Sequence, residues 1–73
     1  MACIDADGTL TVTGRFLLMS LAAGPLPAEE ISARMKIPLF RARGSIREME
    51  QAGVIREEAG AYHLTDKGRA LLK

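Results

Sequence analysis

Cysteine and histidine are almost missing from the 73-residue chain, with Cys3 and His63 the single example of each. One thiol closes no intrachain disulfide, and one thiol with one imidazole cannot complete a zinc site. Neither a disulfide framework nor a metal centre is therefore expected. A catalytic cysteine–histidine pair would also need a third group to orient it, and no motif places one beside either residue. Long apolar runs are missing too. None approaches the roughly 20 residues that cross a bilayer, so no membrane partner is expected. The start Met1-Ala2-Cys3-Ile4-Asp5 lacks a basic segment followed by an apolar one, so it does not read as a signal peptide and a cytoplasmic location is expected. With no internal repeat, linker or low-complexity tract, this length predicts one folded domain with a modest core. Residues 1–12 are expected to form an extended segment and turn, and residues 13–73 the domain itself.

One stretch invites an enzymatic reading. Ile4-Asp5-Ala6-Asp7-Gly8-Thr9-Leu10 resembles the nucleophile loop of the haloacid-dehalogenase-like phosphotransferases, which would make Asp5 the nucleophile and Asp7 the acid/base. That family's chemistry needs several βα units behind the loop, and a later Ser or Thr, a Lys and an acidic pair converging on it. A short, mainly helical chain has no room for them. A calcium-loop reading also fails, because Phe16 stands at the twelfth position where a bidentate Glu belongs. The stretch is read as a polar, glycine-containing turn. No catalytic, cofactor-binding or metal-binding residue is assigned, no cofactor is expected, and the chain is not expected to be an enzyme.

What is present is a helical pattern. From Thr13 to Ala23 the apolar residues lie on most sides, with Leu17, Leu18 and Leu21 at helical spacing, Thr11 or Thr13 as N-cap, and Gly24-Pro25 as the stop. Such all-round apolarity predicts a central helix or one that meets a partner. Phe16 and Met19 form its second face, the candidate surface for a homodimer. Pro27 opens a second, short helix with Glu29 and Glu30 in its first turn and Ile31 and Met35 facing the core. Lys36-Ile37-Pro38 ends it.

The third helix is expected from about Leu39 to Ala52. At 100° per residue Ala42, Ile46, Met49 and Gly53 share the core side, Ser45 borders it, and Arg41 lies on a flank. Phe40, Arg43, Gly44 and Arg47 fall together on the opposite side. Two short strands then surround Glu58-Ala59-Gly60, with Tyr62 and Leu64 on one face and Ala61 and His63 on the other. Thr65 caps a last helix from Asp66 to Leu72. The predicted fold class is mainly α with a small β-hairpin.

Charge is nearly balanced at +1 overall but unevenly spread. Arg34, Lys36, Arg41, Arg43 and Arg47 form a block with no acid among them, which suits a phosphate backbone. At this point PAEEISARMKIPLFRARGSIREMEQAGVI resembles the helix-turn-helix of winged-helix transcription regulators. AYHLTDKGRALL resembles the second wing strand and following helix of multiple-antibiotic-resistance-type and PadR-type regulators. The resemblance covers about Thr13 to Leu72, with the helix-turn-helix at about 27–53, the wing at 54–64 and a C-terminal helix at 65–73. It implies a winged helix-turn-helix with a three-helix core, and the third helix, about 38–52, in the major groove of double-stranded DNA. The implied DNA-binding residues are Leu39, Phe40, Arg41, Arg43, Gly44 and Arg47, with Lys36 and Arg56 beside them. Arginine suits guanine edges and phosphates alike. The expectation is thus a DNA-binding transcription regulator of a bacterium or archaeon. Against it stand Pro38 at the helix start, Gly44 where a longer polar side chain is common in the family, and Glu57 and Glu58 in the wing, whose carboxylates repel phosphate. They support the alternative of a winged-helix protein–protein interaction module with no direct DNA role, in which Phe40 meets a partner.

Overall fold

The computed structural model describes residues 9–72. Asp5, Asp7, Cys3 and Lys73 lie outside the described residues. The order of elements is α1 (Val12–Ala22), α2 (Ala28–Met35), α3 (Leu39–Gln51), β1 (Ile55–Glu58), β2 (Ala61–Leu64) and α4 (Asp66–Leu71). Three helices and an antiparallel hairpin make a mainly α, winged-helix-like α+β fold, closed by α4.

Each helix start follows local chemistry. The Thr11 hydroxyl accepts from the Gly14 N–H at 3.1 Å, so Thr11 is the N-cap of α1. Pro27 and Pro38 are N-cap residues of α2 and α3, one position earlier than the first helical turn the sequence suggests. Their backbones are extended and their carbonyls still accept the first helical bonds, from Ile31 and Ala42. The turn between α2 and α3 runs through Lys36 in the left-handed region, φ 57°. A lysine there costs about 1 kcal/mol or more, and it closes α2 locally, the Lys36 N–H donating to the Ala33 carbonyl at 3.3 Å and the Ile37 N–H to the Ser32 carbonyl at 3.2 Å.

The core is built from the expected stripes. Leu17 and Leu18 of α1, Ile31 of α2, Ile46 and Met49 of α3, and Val54 are fully buried. Each stabilises the fold by roughly 1.5–3 kcal/mol relative to an exposed side chain. Gly53 departs from its predicted place on the core side of α3. It lies exposed beyond the helix end with φ 79°, the left-handed position that terminates a helix and turns the chain into β1.

The hairpin pairs Ile55 with Leu64, Arg56 with His63, Glu57 with Tyr62 and Glu58 with Ala61. Its loop, Ala59-Gly60, has positive φ at both residues, as the right-handed twist of a two-residue hairpin requires. Tyr62 also exchanges backbone hydrogen bonds with Leu26, at 2.8 and 3.2 Å, which ties the α1–α2 connection to the sheet edge.

A compact junction then locks α4. The Thr65 hydroxyl donates to the Gly53 carbonyl at 2.7 Å and accepts from the Gly68 N–H at 3.2 Å. The Thr65 N–H donates to the Val54 carbonyl at 3.1 Å. Gly68 is buried against that same carbonyl, so closely that a Cβ would collide with it. The Tyr-x-Leu-Thr-x-x-Gly spelling from Tyr62 to Gly68 is therefore a folding device, since each named residue makes a contact that closes the domain.

Candidate functional site

The two helices of the helix-turn-helix treat charge in opposite ways. In α2, Glu29 and Glu30 stand in the first turn, where the macrodipole favours anions, and Glu30 pairs with Arg34 one turn later at 3.9 Å. The first turn of α3 has no acid and contains Arg41. Arg43 and Arg47 repeat the same charge at i and i+4, which costs a few tenths of a kcal/mol. Gly44, mid-helix, costs roughly 1 kcal/mol against alanine, and no atom lies within 4 Å of where its Cβ would be. None of these choices serves the helix. Local rules broken without a packing reason mark a surface kept for something else.

That surface has a definite shape. Phe40, 75% exposed, Arg43, Gly44 and Arg47 lie together on the outer face of α3, opposite buried Ala42, Ser45, Ile46 and Met49. Arg41 sits on the far flank, lining a hollow with Thr13, Ile37 and Gly44. Leu39 is half-buried at the helix start, and Lys36 is exposed in the turn before it. Among the described residues Arg41, Arg43 and Arg47 form no ion pair.

The wing separates Arg56 from this group. Alternation along β1 puts Arg56 on the side of the hairpin that faces α1 and α4, in a hollow with His63, Arg69 and the Gly24-Pro25 turn. There it pairs with Glu58 at 3.5 Å. Glu57 is instead turned towards α3, where it joins Glu29, Arg43, Arg47, Glu50 and Tyr62 around an open groove of about 350 Å³. Burial pushes the Tyr62 phenol above its ordinary value of 10.0, the Glu57 and Glu50 carboxylates push it further, Arg43 opposes, and Glu29 adds a smaller push upward. The sequence alone does not single out Tyr62, Glu29, Glu50 and Glu57 as site residues. For Glu50 a signal was present, because it stands seven residues, two turns, after Arg43. For the others the hairpin register was needed.

A second exposed face lies on α1. Val12, Phe16 and Met19 are 87%, 51% and 59% exposed, and Phe16, Met19 and Ser20 line a shallow hollow with Arg34 at its edge. This face is apolar where that of α3 is charged. Among the described residues, no helix is long and apolar enough to cross a membrane.

Comparison with known proteins adds information that neither face supplies. No family model matches the chain. No curated protein matches it. Solved structures do. CalO1, a methyltransferase in calicheamicin biosynthesis, in its SAH-bound form, shares 30% identity at a TM-score of 0.69 over 81% of this chain. PigF with SAH shares 25% identity at a TM-score of 0.72 over 82% of this chain. In both cases the match covers 18% of the other protein, so this chain spans less than a fifth of their length.

These likenesses overturn the DNA-binding transcription regulator expected from sequence. The physical reason is that much of the spelling carrying the regulator resemblance builds the fold. Leu64, Thr65 and Gly68 close the α4 junction, Tyr62 ties the α1–α2 connection to the hairpin, and the turn around Gly53 feeds the wing. A backbone set by such contacts hosts many functions. The DNA-contact roles of Leu39, Phe40, Arg41, Arg43, Gly44, Arg47, Lys36 and Arg56 rested on that reading. The structure brings only part of this set to one face.

Proposed function

We propose that the chain is the winged-helix portion of a methyltransferase that uses S-adenosylmethionine, working in the cytoplasm as an assembly element, with the methyl-transfer chemistry housed elsewhere in the enzyme. One observation carries the reading: the same fold, at 25–30% identity over four-fifths of this chain, occurs in two SAH-bound proteins, one of them described as a methyltransferase. S-adenosylhomocysteine is what remains of S-adenosylmethionine after its methyl group has left. The much longer chains of those proteins have room for a cofactor-binding domain that 73 residues do not.

Within that enzyme, α1 supports a role in assembly. Val12, Phe16 and Met19 form an apolar, charge-poor face of the kind found in permanent interfaces. A second copy of the chain is the occupant this reading assigns to it, giving a two-fold pair through α1. Sedimentation equilibrium tests this part. A concentration-dependent dimer that becomes monomeric in a Phe16→Glu/Met19→Glu variant is the expected outcome, and a wild-type monomer at all concentrations would remove α1 from the proposal.

The main reading is tested by isolating the chain from the cells that make it, tagged at its own gene, and applying it to immobilised S-adenosylhomocysteine. Retention, with release by free S-adenosylmethionine, is expected through a methyl-transfer domain attached to the chain or bound to it. Isolation with no S-adenosylhomocysteine-binding polypeptide, covalently joined or associated, would overturn it.

A further inference from the structure

The outer face of α3 is a different kind of surface from that of α1. From Lys36 to Arg47 the sequence has four cations and no acid. Arg41, Arg43 and Arg47 are exposed and, among the described residues, form no ion pair. Phe40 projects beside them at 75% exposure. Gly44 leaves a notch between Phe40 and Arg47 with no atom within 4 Å of its missing Cβ, so another backbone can approach the helix closely.

Beyond the methyltransferase reading, we propose that this face docks an acidic segment of a separate partner protein, one that also carries an apolar side chain. Three features favour that occupant. Exposed guanidinium groups that form no ion pair among the described residues call for carboxylates, which they grip in a bidentate fork. Phe40 calls for an apolar contact that a phosphate backbone lacks. The third feature limits the length of the anion. Glu29, Glu50 and Glu57 line the groove together with Arg43 and Arg47. By helical phase Glu50 lies beyond Arg43 on the side away from Phe40 and Gly44, so a short acidic segment laid on Phe40, Gly44 and Arg47 stays at the margin of these carboxylates, whereas a long polyanion running from helix to wing crosses them. The face is also too charged for a permanent interface, whose centre is depleted of charge, and its character is that of a reversible contact.

The test is a nitrogen-15 NMR titration of the protein with a synthetic peptide of glutamates interrupted by leucine and phenylalanine. Its glutamine counterpart and a generic DNA duplex are run as separate arms. The expected result is a set of shift changes confined to the amides of Phe40, Arg43, Gly44, Arg47 and their neighbours, absent with the glutamine peptide. Affinity should fall about tenfold in Arg43→Ala/Arg47→Ala and recover in part in Arg43→Lys/Arg47→Lys. Gly44→Ala, which only fills the notch, should also weaken binding while leaving the spectrum folded. Equal shifts with the glutamine peptide, shifts on other elements, or no shifts would overturn the proposal. Tighter binding of the DNA duplex to the same amides would overturn it as well.

Discussion

Gly44 and Gly68 both lie inside helices, and their surroundings have nothing in common. At Gly68 a Cβ would run into the carbonyl of Val54, the acceptor for the Thr65 N–H, so glycine is what lets α4 close the domain. At Gly44 a Cβ would meet nothing within 4 Å. The first glycine is required by packing. The second weakens α3 with no packing return, in the same stretch where Arg41 opposes the helix dipole and Arg43 faces Arg47. Glycine and charge in a helix therefore carry different information depending on whether the structure needs them, and only the unneeded ones point to a surface kept for a partner.

The contrast can be broken by substitution. Gly68→Ala should have the largest effect, a loss of about 3 kcal/mol or failure to fold, because backbone has to move. Urea unfolding measures it, and a variant as stable as wild type would mean that the α4 junction is misjudged. Thr65→Ala removes a donor to Gly53 and an acceptor for Gly68, and should cost about 1–2 kcal/mol by the same method. Gly44→Ala should act in the opposite direction, raising stability by up to about 1 kcal/mol, read as a melting temperature higher by roughly 5 °C. A drop instead would show that α3 packs against something at Gly44.

The smallest effect concerns Tyr62. Its folded-state phenol titrates above the ordinary value of 10.0, held neutral first by burial and then by Glu57 and Glu50, against the opposing pull of Arg43. A raised folded value means that the unfolded chain gives up this proton first. The contribution to stability is complete below pH 10 and is lost as pH rises through the folded value. In Tyr62→Phe the alkaline decline should be shallower, and an unchanged slope in unfolding curves would remove Tyr62 from the account.

Much of the fold was legible because its signals are local. Leu17, Leu18, Leu21, Ile31, Ile46 and Met49 occupy the buried faces that helical spacing assigns them. Thr11 and Thr65 cap the helices that follow them. Ala59-Gly60 makes the turn expected between the strands. Helical phase alone puts Gly53 on the core side, because phase does not register the left-handed glycine that ends α3. The exposed set Phe40, Arg43, Gly44 and Arg47 was legible from the same phase. What that face touches is not legible in the same way, because the Tyr62 to Gly68 spelling that resembles a regulator records how a winged helix closes and says nothing about its outer face.

The amino-acid sequence determined the order of elements, the buried stripe of each helix and the break at Gly24-Pro25, since periodicity, caps and breakers act within a few residues. It also placed a basic block in a nearly neutral chain. Only the tertiary structure decided that Arg56 turns away from α3 while Glu57 turns towards it. It alone placed Tyr62 among Glu29, Glu50 and Glu57 and brought Gly68 onto the carbonyl of Val54. Each depends on how the hairpin registers and where α4 docks, and those are contacts between residues distant in sequence that no local pattern encodes.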